Sequence, residues 1–360
     1  MELVGISLAR GPLANLKTRC RNKFGMTLRY ALIMKKIFIT GGHYTPAKAV
    51  IDLLINKYQI FYLGRKYAME DDDAIALEYQ SLKSLKSLTY LVLTTGRLQR
   101  RFFVNIFQSI KSFFKIFVGL GQSFYYLIKF RPDLVLSFGG YLAAPVVFNS
   151  WLFRIPVITH EQTLIPGLSN KVINIFANKM LTGNPIRKEI LDLKPVKTSG
   201  IFVTGGNQGS HVINMAVKNL FNKYSVILQT GDSKFNDYEN FKRDGVYKFL
   251  DAKEMAKFLN EADLVISRAG ANITTELAYL GKPAILIPIP WSSGNEQMLN
   301  AKFLKDAGTA EILEQKDLTG ESLLKLVDLM FKNLGKYQHK VPVKTDAAEE
   351  IVKECEKLLY

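Results

Sequence analysis

Ile37-Phe38-Ile39-Thr40-Gly41-Gly42-His43 and Ile201-Phe202-Val203-Thr204-Gly205-Gly206-Asn207 open two halves of the chain in the same way. Each copy is a short β-branched and aromatic run, then paired glycines, then a helical pattern. In the first copy Thr45 is placed to cap the helix and Pro46 suits its first turn. Ala49, Val50, Leu53 and Leu54 then follow on one face, and Val212, Ile213, Ala216 and Val217 do the same in the second copy. The glycines allow tight turns and close backbone approach. Free N–H groups at the start of the helix would face whatever lies above the strand ends, an arrangement that suits phosphate.

Further strand–loop–helix units lie outward from these. Asp133–Ser137 leads to Gly139-Gly140-Tyr141, a helix through Trp151 and a strand at Pro156–Thr159. Asp263–Ser267 leads to Arg268-Ala269-Gly270-Ala271-Asn272, a helix from about Thr274 to Leu280, Gly281 as its stop, and a strand at Pro283–Ile287. The alternation implies parallel sheets covered on both faces. The expected fold class is α/β, two Rossmann-like domains facing one cleft. The boundary falls in the charged stretch 188–198, which contains Pro195. That gives an N-terminal domain at 34–190, a C-terminal domain at 197–340, and a last helix within 345–360 that packs back onto the first domain. Residues 1–33 read as a disordered extension ahead of a strand that opens at Met34.

The length of 360 residues suits two domains, and 48% hydrophobic with 22% charged residues excludes long-range disorder. Lys plus Arg is 48 against 32 acids, a net charge of +16, which points to a polyanionic partner: nucleic acid, an anionic membrane surface or phosphorylated substrates. Cys20 and Cys355 offer neither a disulfide framework nor metal-ligand spacing. No stretch reaches the ~18 uninterrupted apolar residues of a spanning helix. The longest candidate, Ile116–Ile128, is closed off by Lys115 and Lys129. Arg10, Lys17, Arg19, Arg21 and Lys23 interrupt any secretory-signal core.

Neither glycine turn matches the dinucleotide fingerprint or the P-loop, which disfavours an oxidoreductase or nucleotide hydrolase. The informative pattern is a series in fixed order: Thr40-Gly41-Gly42-His43, Gly139-Gly140-Tyr141, His160-Glu161-Gln162, Gly183-Asn184-Pro185-Ile186-Arg187, Gly205-Gly206-Asn207-Gln208-Gly209, Arg268-Ala269-Gly270-Ala271 with Glu276, and Glu296-Gln297. Over roughly residues 35–340 the series resembles the MurG-like transferases of glycosyltransferase family 28. These move N-acetylglucosamine from UDP-GlcNAc onto the lipid-linked muramyl-pentapeptide of peptidoglycan synthesis. The resemblance implies the glycosyltransferase-B architecture, with the donor in the C-terminal half and the acceptor in the N-terminal half.

It also implies roles. Donor contacts fall to Gly206, Asn207, Gln208, Gly209, Ala271 and Asn272, with backbone N–H groups approaching the pyrophosphate. Arg187 would fork onto phosphate, Glu276 would accept from both ribose hydroxyls, Gln297 would meet sugar hydroxyls, and the backbone of Leu250 would read uracil. Thr40, Gly41 and Gly42 are placed with the donor contacts, although the same loop is expected to hold the acceptor diphosphate. Tyr141, His160 and Thr163 fall on the acceptor side. An acceptor hydroxyl attacks the α-linked sugar with inversion. His43 is the first choice of base, because an imidazole titrates near neutrality, and Glu161 is the second.

Glu70-Asp71-Asp72-Asp73 invites comparison with metal-binding Asp-x-Asp motifs, but acids favour a helix start, and no metal or cofactor is expected. Three features depart from the family pattern. The first glycine loop is short, Thr163 stands where the family has Asn, and Asn207 where it has Ser.

Residues 97–131 carry seven cations, no acid and ten aromatics. Phe103, Phe107, Ile110, Phe114 and Phe117 follow helical spacing. A basic amphipathic helix of this kind lies on an anionic bilayer. The expected location is therefore peripheral, on the cytoplasmic face of the cell membrane. A UDP-sugar transferase acting on another lipid acceptor and a UDP-sugar epimerase are the rival enzymes. A basic nucleic-acid-binding protein is the rival of a different class, disfavoured because no nucleic-acid motif appears.

Overall fold

Strand β1 (Lys36–Thr40) is buried on both faces for most of its length, as a central parallel strand must be. The computed structural model describes residues 34–67, 75–96, 106–162, 168–206, 208–231, 235–241 and 243–360. The extension 1–33, the acidic run Glu70–Asp73, Phe103, Thr163 and Asn207 lie outside them.

The first sheet comprises β1, β2 (Gln59–Gly64), β3 (Leu88–Val92), β4 (Leu134–Ser137), β5 (Val157–Glu161) and β6 (Lys179–Thr182), in the order β3-β2-β1-β4-β5-β6. Its helices are α1 (Tyr44–Leu54), α2 (Leu77–Lys83), α3 (Ile106–Phe130), α4 (Ala143–Leu152) and α5 (Leu168–Phe176). After α6 (Lys188–Leu191) the second sheet runs β7 (Ile201–Thr204), β8 (Val226–Gln229), β9 (Val246–Tyr247), β10 (Leu264–Ser267), β11 (Ala284–Leu286) and β12 (Ala310–Ile312). Its order is β12-β11-β10-β7-β8-β9. Its helices are α7 (His211–Ala216), α8 (Asp237–Phe241), α9 (Ala252–Glu261), α10 (Ala271–Leu280), α11 (Glu296–Asp306), α12 (Gly320–Lys332) and α13 (Leu334–Tyr337), followed by α14 (Ala347–Leu359).

All ladder pairs are parallel, and both halves wind in the same sense from a central first strand. Strand order reverses between β1 and β4 and again between β7 and β10. The glycine loops therefore open at the two switch points, where doubly wound sheets hold their ligands. The registers match as well: Thr40 pairs with Ser137, and Thr204 with Ser267.

Two clusters sandwich each sheet. In the first half one includes Val50, Ile51 and Leu54 of α1 with Ile351, Val352 and Cys355 of α14. The other gathers Leu127 of α3, Val146 and Val147 of α4, and Ile173 of α5. The last helix thus returns to the first domain, where Lys179–Glu354 (2.6 Å) and Lys57–Glu356 (3.0 Å) bridge its exposed side.

The structure corrects several local expectations. Helix α1 begins at Tyr44, with His43 in the cap position and no side-chain cap, so Thr45 lies inside the first turn. Leu53 and Val212 are exposed; the buried face of α1 is Pro46, Ala47, Val50, Ile51 and Leu54. Helix α10 begins at Ala271 rather than near Thr274, because Gly270 takes the extended cap conformation. Ile186 and Ile190 are buried in the core of the second domain, so the chain changes domain at about 183–185, ahead of the charged stretch.

Candidate active site

At the first switch point Gly41 has φ 147°, and a Cβ there would stand 2.8 Å from the backbone of Phe138. Only glycine lets the two loops cross so closely. The Gly42 N–H donates to the Gly139 carbonyl (3.1 Å), which joins the loops after β1 and β4. The Thr40 hydroxyl is buried and donates to the Leu63 carbonyl (3.1 Å). Of the three residues expected at a phosphate, Gly42 alone is exposed, and its N–H is already engaged.

His43 ends this loop and receives a hydrogen bond at Nδ1 from the Gln162 amide (2.7 Å). An amide nitrogen only donates, so the ring proton sits on Nε2. Burial holds the imidazole below its ordinary range; Glu161 opposes that shift and Arg65 adds to it. Glu161 is buried at the end of β5, and its Oε2 accepts from Asn170 (2.6 Å). The same amide's oxygen accepts from the Gly140 N–H (3.0 Å), so Asn170 locks the carboxylate to the second glycine turn. Tyr141, next in that turn, bonds Arg65, whose Nε also donates to Glu78 (3.1 Å).

His160 was expected at the acceptor, yet it is only 2% exposed and packs beside Phe138. Its Nε2–H donates to the Gly183 carbonyl, and burial pushes its pKa down to about 4. It forms the floor of the site rather than its surface.

In the second domain Gly209 has φ 74° and runs directly against the Thr230 carbonyl, leaving no room for a Cβ. The turn is closed by Gly209 N–H to Gly206 O (3.0 Å) and Gly206 N–H to Thr204 Oγ1 (3.0 Å). Arg268, from the β10 loop, reaches across the switch point. It donates to Ser210 Oγ (2.8 Å), Gln315 Oε1 (2.8 Å) and the Ile287 carbonyl (3.1 Å). Burial pushes this guanidinium down to about 10. Gln208 is exposed, Ala271 is buried at the start of α10, and Asn272 keeps a buried Oδ1 with no partner among the described residues. Leu250 packs its side chain on the core. Gln297 accepts from the Ile289 N–H (3.0 Å), which braces its own loop. Glu296 beside it has its pKa raised by burial and, secondarily, by the charge of Glu161 in the other domain.

Arg187 departs most from expectation. It forks onto Glu276 with Nε–Oε1 at 2.7 Å and Nη2–Oε2 at 2.6 Å. The side chain expected at phosphate therefore holds the one expected at ribose. Sequence reasoning also missed Arg65, Asn170, Gln162 and the His211–Asp237 pair (2.7 Å). Gln162 stood inside a quoted motif, and Arg65 directly follows the glycine that ends β2; Asn170, in the first turn of α5, belongs to no quoted motif. Among the described residues no group of three or more His, Cys, Asp or Glu could hold a metal ion.

Paired Rossmann-like domains with glycine loops at both switch points define the two-domain glycosyltransferase-B architecture. Residues 40–182 match the glycosyltransferase family 28 N-terminal domain and residues 200–355 its C-terminal domain, and the chain belongs to that family. It is 32% identical to a UDP-N-acetylglucosamine–N-acetylmuramyl-(pentapeptide) pyrophosphoryl-undecaprenol N-acetylglucosamine transferase of Clostridium kluyveri, over 90% of this chain and 99% of that one. It resembles the crystal structure of Acinetobacter baumannii MurG with a TM-score of 0.66 at 25% identity, covering 90% and 99% of the two chains. A Neisseria meningitidis UDP-GlcNAc 2-epimerase shares the fold alone, with a TM-score of 0.52 at 14% identity over 90% of this chain and 100% of that one.

Proposed function

We propose that this glycosyltransferase moves N-acetylglucosamine from UDP-GlcNAc onto a polyprenyl-diphosphate-linked muramoyl-peptide, the lipid I to lipid II step of peptidoglycan synthesis. The observation that carries this reading is the end-to-end match to a transferase of that name, 90% of this chain against 99% of the relative.

The acceptor hydroxyl oxygen attacks the anomeric carbon as the bond to UDP breaks. The bond's electron pair leaves with UDP, and the hydroxyl proton passes to a base. His43 is that base, at the end of the β1 loop in the cleft. As a base it needs the proton on Nδ1; a half-turn of the Gln162 amide turns an acceptor to that atom, and the ring exchanges its Nε2 proton with solvent for one on Nδ1. The amide oxygen, buried and unpartnered among the described residues, would then accept from Nδ1–H and free the Nε2 lone pair. The second-domain glycine loop receives the diphosphate, with the cation of Arg268 directly behind Ser210. Glu276 takes the ribose hydroxyls, the Leu250 backbone the uracil, and Asn272 and Gln297 the sugar side. The acceptor lies against Tyr141 and Glu161. Fixed dipoles and the buried arginine offset the charge of the departing UDP. Chelator-treated enzyme therefore keeps its turnover, and loss of activity restored by Mg²⁺ would contradict this.

No described helix is long and apolar enough to cross a membrane. The proposed attachment is peripheral, at the cytoplasmic face. It runs through the exposed rings of α3 within 97–131 and extends to Trp151 of α4 and Ile175 of α5. Incubating the enzyme with lipid I and a panel of UDP-sugars, and weighing the product by mass spectrometry, tests the whole reading. It predicts one added N-acetylhexosamine from UDP-GlcNAc. Conversion of free donor without acceptor, or transfer only to a diacylglycerol, would replace it.

A further inference from the structure

The segment 183–187, which carries the chain from the first sheet to the second, is tied down at each end. The Gly183 carbonyl accepts from His160 Nε2–H on β5. Asn184 Nδ2 donates to Thr275 Oγ1 (3.0 Å), and Arg187 forks onto Glu276, the next residue of α10. The Arg187 and Glu276 side chains are only 16% and 3% exposed. We propose that Arg187 acts on the donor through Glu276, as a positioning residue for the ribose, and not as a ligand of the diphosphate. The proposal rests on the donor reading given above.

A carboxylate oxygen carries two lone pairs. The fork takes one from each oxygen of Glu276 and fixes the carboxylate plane by two parallel bonds. One lone pair remains on each oxygen, which matches the two vicinal hydroxyls of a ribose. The fork spends Nε–H and one Nη2–H on Glu276, so the guanidinium's place is fixed by the carboxylate, and only 16% of the side chain is exposed to reach anything else. The pair is also neutral as a unit. A lone buried carboxylate would repel the nearby diphosphate, whereas the paired one keeps its acceptor atoms without net charge. Lysine in this place would supply charge without fixing the plane. Because the strap also holds Gly183 over His160, the orientation of the ribose carboxylate is built into the crossing between the domains.

Binding of UDP, 2′-deoxy-UDP and uridine to the full chain distinguishes the roles. Calorimetry serves for the diphosphates, and NMR titration for the weaker nucleoside. R187M is expected to lose affinity for UDP by about tenfold or more, the worth of a charge-assisted hydrogen bond. The loss should persist on uridine, which keeps the ribose, and shrink on 2′-deoxy-UDP, which lacks one partner of Glu276. R187K should follow R187M, and it carries the same comparison if R187M does not fold by circular dichroism. A loss that is equal on both diphosphates and absent on uridine would make Arg187 a phosphate ligand and overturn the proposal. An equal loss on all three ligands, or full rescue by lysine, would overturn it too. Failure of the unmodified chain to bind UDP would instead remove the donor reading on which the proposal stands.

Discussion

A base that takes a sugar hydroxyl's proton must present a lone pair to the cleft and be neutral at working pH. His43 meets the second condition because burial holds it below its ordinary range, against the opposing effect of Glu161. Since the neutral form is the active one, the acid limb of kcat/KM lies below pH 6.5, the ordinary imidazole value. H43A should lower kcat by roughly 10²–10⁴-fold and abolish that limb, with little change in KM for UDP-GlcNAc. Near-normal turnover by H43A in a steady-state assay would take His43 out of the mechanism. Q162L, which cannot pair with Nδ1–H, should lower kcat in the same direction. His43 and Glu161 could be named as candidates from the sequence because each lies in a local motif that ends or follows a strand-like run. Arg65 could not, because its meeting with Tyr141 is set by sheet order. Strands β2 and β4 flank β1, although many residues separate them in the chain. The pairing of Arg187 with Glu276 was hidden for the same reason: it joins residues 89 positions apart.

Among the elements, β5 carries a pH consequence in the mildly acid range. The His160 pKa is about 4 in the folded chain, and the ordinary value is 6.5. Between those values the unfolded chain binds the extra proton and the folded chain does not. Stability therefore falls as pH drops from about 6.5 toward 4, by up to about 3 kcal/mol. H160Q, whose amide can still donate to Gly183, should lose that part of the slope. Denaturant unfolding at pH 7 and pH 4.5 checks this, and parallel losses in both proteins would contradict it. Strand and helix periodicity made nearly all the central elements legible, since buried parallel strands read as unbroken apolar runs. Helix starts were less legible. Thr45 has the chemistry of a cap, but the Gly41-Gly42 crossing brings the chain into α1 before Thr45 is reached. Likewise 188–198 looked like a linker from its charge, while Ile186 and Ile190 inside and before it anchor the chain to the second core.

For the molecule as a whole, the asymmetry of the first domain matters most. One side of its sheet is closed by α1 and α14, whose apolar faces meet. The other side, covered by α3, α4 and α5, presents a second apolar layer outward. Phe114 is 64% exposed and Ile175 75%, and Phe117 and Trp151 are each more than half exposed. The rings are joined across helices, Phe124 to Phe153 at 5.1 Å and Trp151 to Phe176 at 5.3 Å, so they form one surface rather than scattered residues. Exposed Lys111, Lys129, Arg131, Arg154 and Lys171 border it. Immersing one such ring in lipid is worth ~1.5–3 kcal/mol, and each bordering cation adds about 1 kcal/mol on an anionic surface. Either contribution alone is marginal; together they suffice for the peripheral attachment proposed above. Flotation with vesicles containing anionic phospholipid should therefore recover the protein at low salt and release part of it at high salt, where screening removes the cationic share. F114S/F117S should weaken recovery by more than about tenfold at either salt, since it removes apolar burial. The same variant should transfer sugar normally to a short-chain soluble acceptor while slowing on the polyprenyl-linked one. Equal loss on both acceptors would assign these rings to the fold, and a wild-type protein that stays with the unbound fraction at low salt would refute the membrane face.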